Sequence, residues 1–430
     1  MLNRRAFLKS SGLVLFSAGL SSTPLFLARA AQAAVVPQSA YQRQKIIVTI
    51  FQRGGMDGLG AVSPYTDKVL PTLRPKLMLP TPGSGKENAL LELDGRFGLH
   101  PALSFFHEFY KEGRLAIVHG VGNTYSTRSH LDAAQYWESG TPGDKSTNSG
   151  WLNRALHQTS REKDSPLRAV SITAEQPRSF HGNYPSITLA DIHKFVGQDI
   201  NMAYKENMAM LYNQSQKELL QTTAKDSFEI MQMLSSENLA SYQTAKGVDY
   251  PQAFKLTNGQ TQPSLGDSLK QIAQLIKANV GLQVAFTEMP NFIWDTHVNE
   301  HAVNGPFFTA GNDFSRSISA FWKDLGPFAD DVVLMTMTEF GRTVAQNDTN
   351  GTDHGRGTCM FVLGNNVKGG KVYGNIPDRL ELDALEDKQD LPVSTDYRSV
   401  ADTIIRRQLN VQDTKAIFSG WQGNGLSILS

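Results

Sequence analysis

The sequence predicts an α/β fold: a largely parallel central sheet flanked by helices, with a helical insertion. Short β-branched runs are almost continuously apolar, as strands covered on both faces are. Helical apolar patterns alternate with them. Acidic, hydroxyl and imidazole residues gather just beyond the strand-like runs, where open α/β sheets collect ligands and chemistry.

Lys45–Phe51 (KIIVTIF) is the first core strand and ends in the turn signal Arg53-Gly54-Gly55. Arg114–Gly120, Leu167–Thr173, Gly281–Phe286, Asp331–Met337 and Thr358–Leu363 repeat its character. Pro101–Lys111 sets Leu103, Phe106 and Phe109 at helical spacing, and Ser268–Lys277 places Leu269, Ile272, Leu275 and Ile276 on one face. From 191 to 263 the rhythm breaks into a polar, Gln-, Lys-, Glu-, Met- and Ala-rich stretch. It reads as two or three helices forming an insertion or cap over the strand ends. Its methionines (Met202, Met208, Met210, Met231, Met233) are packing residues. Leu256–Ser264 and the Pro/Gly-rich Pro80–Lys86 read as loops.

Residues 1–33 read as a targeting segment, outside the fold argument. Asn3-Arg4-Arg5-Ala6-Phe7-Leu8-Lys9 is a twin-arginine signature, followed by a mildly apolar stretch from Gly12 to Leu27 interrupted by serines and Pro24. Small residues offer cleavage after Ala30 or Ala33, the latter favoured. The stretch is short and polar for a stable membrane span. The twin-arginine machinery carries folded proteins, so an exported, periplasmic product is expected. Residues 34–430 form the remaining domain. Lys plus Arg balance Asp plus Glu, 41 against 41, which gives no electrostatic footprint for nucleic acid or an anionic membrane. A single cysteine, Cys359, lies in an apolar run and excludes an internal disulfide.

Five polar segments carry the chemistry. Asp57 follows the first strand and two glycines, so its carboxylate projects from a sharp turn as a metal ligand or a turn cap. Thr124, Ser126, Thr127, Arg128, Ser129 and His130 crowd the loop after the second strand. A hydroxyl there needs a base or a metal to attack, Arg128 can fork onto phosphate or sulfate oxygens, and at least one hydroxyl should cap the following helix. Asp295-Thr296-His297 is the sharpest metal signal, because residues two apart in an extended loop point to one side. His301 lies within reach as a further ligand. Glu339 follows a strongly apolar strand and needs a partner, either a cation or Arg342. Asp353-His354 sits between glycines that permit close approach.

Phe51-Gln52-Arg53-Gly54-Gly55-Met56-Asp57-Gly58-Leu59, Arg96-Phe97-Gly98-Leu99-His100-Pro101, Thr127-Arg128-Ser129-His130, Trp294-Asp295-Thr296-His297, Thr338-Glu339-Phe340-Gly341-Arg342 and Gly351-Thr352-Asp353-His354-Gly355 resemble the exported family catalogued as domain of unknown function fifteen-oh-one. That family in turn resembles the alkaline phosphatase and sulfatase superfamily. The resemblance implies an alkaline-phosphatase-like sheet with one or two metal ions at the strand ends, and hydrolysis of phosphate or sulfate esters. By motif, Asp57 matches the first-strand metal aspartate, and Thr124 the nucleophile position, with Ser126 or Ser129 serving equally. Arg128 matches the anion-binding arginine, Asp295 and His297 the pair on one metal, Glu339 an Asp of Asp-His, and His354 the late histidine. Phe340 stands where the superfamily has the histidine of that Asp-His pair, and no cysteine occupies the nucleophile loop. One metal site thereby loses a ligand, and formylglycine sulfatase chemistry is disfavoured.

The expectation is therefore a metal-dependent hydrolase of small anionic esters. One divalent ion, with zinc, manganese, iron and calcium all compatible, is held by Asp57, Asp295, His297, Glu339 and His354, with His301 and Asp353 near. Thr124, Ser126, Ser129 and Arg128 make the catalytic group. A non-catalytic exported binding or assembly protein is the rival, and a phosphomutase-type enzyme a weaker third.

Overall fold

The computed structural model describes residues 13–14, 42–161, 164–193, 230, 233–234, 239, 241–256, 259–301 and 305–430. The segment expected as a leader, 1–33, otherwise lies outside the described residues, as does most of 191–263, expected as a helical insertion. The described residues at 192–193, 230, 233–234 and 239 are helical, and partly buried Met233 packs on the core. Within the expected loop 256–264, Thr261–Gln262 instead pairs antiparallel with Phe254–Lys255. No described helix is long and apolar enough to cross a membrane.

The central sheet contains β1 (Leu13–Val14), β2 (Ile46–Gln52), β3 (Leu115–Gly122), β4 (Ala169–Ile172), β5 (Ile187–Leu189), β6 (Val284–Met289), β7 (Val332–Thr338), β8 (Thr358–Leu363), β9 (Lys371–Tyr373) and β10 (Thr395–Asp396). Their order is β1-β5-β4-β6-β2-β7-β8-β3-β9, with β10 also on β3. Pairing is parallel except for β1 on β5 and for β8, which runs antiparallel to both β7 and β3. This is the α/β architecture with a largely parallel sheet that the apolar runs predict. The fourth expected strand, Gly281–Phe286, is displaced toward the chain's C-terminus as β6.

Continuous apolar character follows from burial on both faces. Along β2, Ile46, Val48 and Ile50 join one core cluster while Ile47 and Phe51 join the other. β8 divides likewise, with Cys359, Phe361 and Leu363 against Met360 and Val362. The first face is covered by α1 (Ser104–Lys111), α4 (Leu265–Lys277) and α5 (Pro306–Leu325), through Phe106, Phe109, Leu269, Ile272, Phe314 and Phe321. The second carries α2 (His130–Ser139), α3 (Trp151–Gln158) and α6 (Tyr397–Leu409), through Trp137, Trp151, Leu152, Val400 and Ile404. Cys359 is a buried core residue.

The five polar segments meet because they belong to adjacent strands. β6, β2, β7, β8 and β3 are consecutive in the sheet, and neighbouring strands lie about 4.8 Å apart. Gln52 pairs with Met289 on one side and Thr338 on the other, so three strand ends are level. Because β8 runs the opposite way, the loop entering it, 351–357, emerges on the same edge as the loops leaving its neighbours.

The Gly54-Gly55 turn at that edge is required by its backbone. Both glycines have positive φ, +121° and +74°. A Cβ on Gly54 would stand 2.5 Å from the Asp295 backbone nitrogen, and one on Gly55 2.6 Å from the Phe340 ring. Gly54→Ala should cost about 2–5 kcal/mol through strain and overpacking together. Gly83→Ala, at φ +73° with open space around it, carries the strain alone and should cost about 1 kcal/mol. Urea unfolding midpoints compare the two; equal losses would show that Gly54 is not a packing constraint.

Candidate metal centre

Ser129 ends the loop after β3 in an extended conformation, and its hydroxyl accepts from the Asp132 backbone N–H as the N-cap of α2. His130 is thus the first residue of that helix. Its Nε2 lies 3.1 Å from His354 Nε2, which is also 3.2 Å from His297 Nε2 and 3.1 Å from Asp295 Oδ1. His297 Nε2 is itself 2.9 Å from Asp295 Oδ1. Ligand atoms of His130, Asp295 and His354 all fall within 4.8 Å of one another.

The outer nitrogens of two of these rings fix their tautomers. His354 Nδ1 is 2.9 Å from the Arg128 carbonyl and His297 Nδ1 is 3.0 Å from Asp353 Oδ1. Both oxygens can only accept, so both Nδ1 atoms carry the proton. When neutral, each ring then aims its Nε2 lone pair at the other and at the Asp295 carboxylate. Such facing lone pairs are stable only with a cation among them, whether a proton or a metal. Imidazoles whose far N–H is held by a carbonyl or carboxylate are the usual arrangement of metal ligands.

The local charge is negative. Burial pulls the His130 imidazole down, but hydrogen bonds and charge from Asp295 and Glu339 push it up to about 9. Burial would raise the Asp295 carboxyl, yet bonds from His130, His354 and Arg342 hold it well below the usual range. Arg342, fully buried, donates to Asp295 Oδ1 at 2.7 Å and to the Thr352 carbonyl at 2.7 Å. The rival Glu339–Arg342 salt bridge therefore does not form. Phe340 packs its ring against His130 and His354, with centroids 4.8 and 4.9 Å away, an apolar wall at the position where the superfamily pattern has a histidine.

The expected five-ligand assembly is divided. Glu339 does not join the converging group: its carboxylate accepts the Gly54 and Gly55 N–H groups at 2.9 Å, and faces His130 Nδ1 at 3.5 Å. The turn after β2 folds over the end of β7 and takes that carboxylate for its own backbone. Asp57 stands apart as well. Arg74 forks onto it at 2.5 and 3.0 Å, both side chains buried, and also donates to the Val344 and Thr343 carbonyls. Burial alone would raise the Asp57 carboxyl, but the Arg74 charge outweighs it and holds it below its ordinary value. Glu300 and His301 complete this second group, within 4.8 Å of Asp57.

The loop expected to supply the nucleophile is directed elsewhere. Arg128 pairs with Asp390 and Asp387 instead of standing free for an anion. Thr124 accepts from Arg398, Ser129 caps α2 and Ser126 is exposed. Among the described residues, no hydrogen bond joins these hydroxyls to His130, Asp295, His297 or His354. What the loop contributes is His130 and the Arg128 carbonyl. His130 lay within a singled-out segment, and its signal was its place after an N-capping serine at a strand end. Glu300 had one too, its proximity to Asp295 and His297. Arg74 had none, since its partner comes from another loop.

A search of curated proteins finds no match. Among solved structures, the lipoteichoic acid synthase LtaP from Listeria monocytogenes is similar at 9% identity and TM-score 0.31, over 84% of this chain and 71% of that one. Wild-type alkaline phosphatase PafA is similar at 9% identity and TM-score 0.30, over 72% of this chain and 64% of that one. The alkaline phosphatase from the Antarctic bacterium TAB5 is similar at 9% identity and TM-score 0.29, over 76% and 93%. The family described as "Protein of unknown function (DUF1501)" matches residues 88–407, about three quarters of the sequence, and the chain belongs to it.

Proposed function

We propose that this protein is an exported, metal-dependent hydrolase of phosphate or sulfate esters, with its centre at His130, Asp295, His297 and His354. The observation that carries the reading is the convergence of three imidazoles on the Asp295 carboxylate, two of them, His354 and His297, fixed from behind by the Arg128 carbonyl and Asp353. This donor set fits a divalent ion of the zinc, manganese or iron class. Such an ion, when bound, polarises an ester oxygen and lowers the pKa of water. The chain's own residues orient and enclose. Arg342 fixes the Asp295 carboxylate, Asp353 and the Arg128 carbonyl hold two imidazole planes, and Phe340 closes one side against water. His297, half exposed, borders the open side from which an ester would approach. The twin-arginine signature around Arg4 and Arg5 supports export through that machinery.

A non-catalytic exported metal-binding or assembly protein is the second reading. The pairing of Arg128 with Asp390 and the commitment of Thr124 and Ser129 to other partners favour it, because the expected anion clamp and nucleophile are both occupied.

The full chain from its native compartment should carry tightly held divalent metal, and His354→Ala should lose it at this centre, with plasma-emission metal analysis as the readout. Asp353→Asn, which weakens only the support behind His297, should reduce affinity by about 10–100-fold. Hydrolysis of p-nitrophenyl phosphate or p-nitrophenyl sulfate should disappear on chelation and return with metal. Metal-loaded protein inert on both esters would favour the second reading, and metal-free, fully folded and inert native protein would sink the first and leave an assembly role.

A further inference from the structure

We infer that Asp57, Glu300 and His301 form a second cation site, buried and separate from the His130 centre, that takes one zinc ion. His301 Nδ1 lies 2.7 Å from the Leu77 carbonyl, which only accepts, so the proton is on Nδ1 and the Nε2 lone pair is free. That lone pair faces Asp57 Oδ2 at 3.9 Å. Two acceptors at this distance make no hydrogen bond with each other, yet both lie within reach of one ion, since zinc binds nitrogen and oxygen at about 2.0–2.2 Å. Glu300 Oε2 receives the Thr352 hydroxyl at 2.8 Å, while Glu300 Oε1 and His301 Nε2 have no partner. Glu300 is fully buried and the His301 side chain 3% exposed. Unpartnered polar atoms that deep are costly.

Charge points the same way. Arg74 neutralises Asp57, and each carboxylate oxygen still has a second lone pair. Burial and the neighbouring Asp57 disfavour the charged form of Glu300, and no cationic side chain bridges its carboxyl among the described residues, so a bound cation would supply the charge it lacks. A cavity of about 10 Å³, lined mostly by leucines and Met78 with Gly60, Ser63 and Arg74, lies beside His301 but is not lined by Asp57 or Glu300. An imidazole nitrogen with two carboxylate oxygens suits zinc, whereas calcium and magnesium take oxygen ligands. Glycine is required beside the group: a Cβ on Gly60 would stand 2.3 Å from Asp57 Oδ2 and 2.6 Å from His301 Nε2.

The full chain, stripped with chelator and reloaded with zinc chloride, is tested by metal content and by anomalous diffraction at the zinc edge. Two zinc ions per chain are expected, one of them among Asp57, Glu300 and His301. Glu300→Gln, close in shape, should fall to one and keep the His130 peak, whereas His354→Ala should fall to one and keep the buried peak. A wild-type map with no anomalous peak at the buried group overturns the proposal, as does an unchanged zinc count in Glu300→Gln. If Glu300→Gln does not fold, the wild-type map alone decides. A buried peak without one at His354 would overturn the reading of the first centre and leave this one standing.

Discussion

Level strand ends are the constraint on which the site rests. Backbone pairing sets Gln52 between Met289 and Thr338, and the Gly54-Gly55 turn that follows donates its N–H groups to Glu339. That turn also lies against the Asp295 backbone so closely that no side chain fits on Gly54. The loop after β2 is thereby locked to the loop after β6 by main-chain contact and to the loop after β7 by N–H groups held on the Glu339 carboxylate. The metal-ligand geometry inherits its precision from this framework and not from the side chains alone. Loops held in this way keep a binding group preorganised.

Charge is then distributed so that few buried groups lack a partner. Arg342 serves Asp295, Arg74 serves Asp57, and Arg53 serves Glu138 and Glu288. These arginines lie at or below the floor of the strand-end edge, where unpaired carboxylates would be expensive. What remains unpaired is informative for that reason. At the strand-end edge it is a set of imidazole nitrogens; in the interior Glu300 Oε1 and His301 Nε2 are two such atoms that belong to one cluster of metal-ligand types, while others such as Thr49 Oγ1 and Trp322 Nε1 stand elsewhere. Arg342 and Thr352 connect the two regions, because Arg342 bonds both Asp295 and Thr352, and Thr352 donates to Glu300.

Much of the fold was legible in the sequence because burial on both faces leaves a plain signature. The runs at Lys45–Phe51, Asp331–Met337 and Thr358–Leu363 needed only their apolar continuity to be read as strands. Asp295, His297 and His354 were legible for a related reason: polar residues at the end of a buried strand have to face a loop or a ligand. Asp57 and Glu339 looked the same by that criterion, yet the structure gives them to Arg74 and to the Gly54-Gly55 backbone. No local pattern separates a carboxylate that meets a cation from one that meets a guanidinium or two peptide N–H groups. The choice depends on which distant segment packs opposite.

The sequence by itself determined the six longer strands to within a few residues, that the sheet is flanked by helices, and that the reactive side chains lie on strand-end loops; the short strands β1, β5, β9 and β10 it did not mark. Those properties follow from hydrophobic periodicity and turn chemistry, which are local. Tertiary structure alone decided the strand order β6-β2-β7-β8-β3, the reversed direction of β8, and the division of the carboxylates between two groups. These depend on pairings between residues hundreds of positions apart, such as Gly54 with Glu339 and Thr358 with Met56, whose free energy is realised only when the chain has closed.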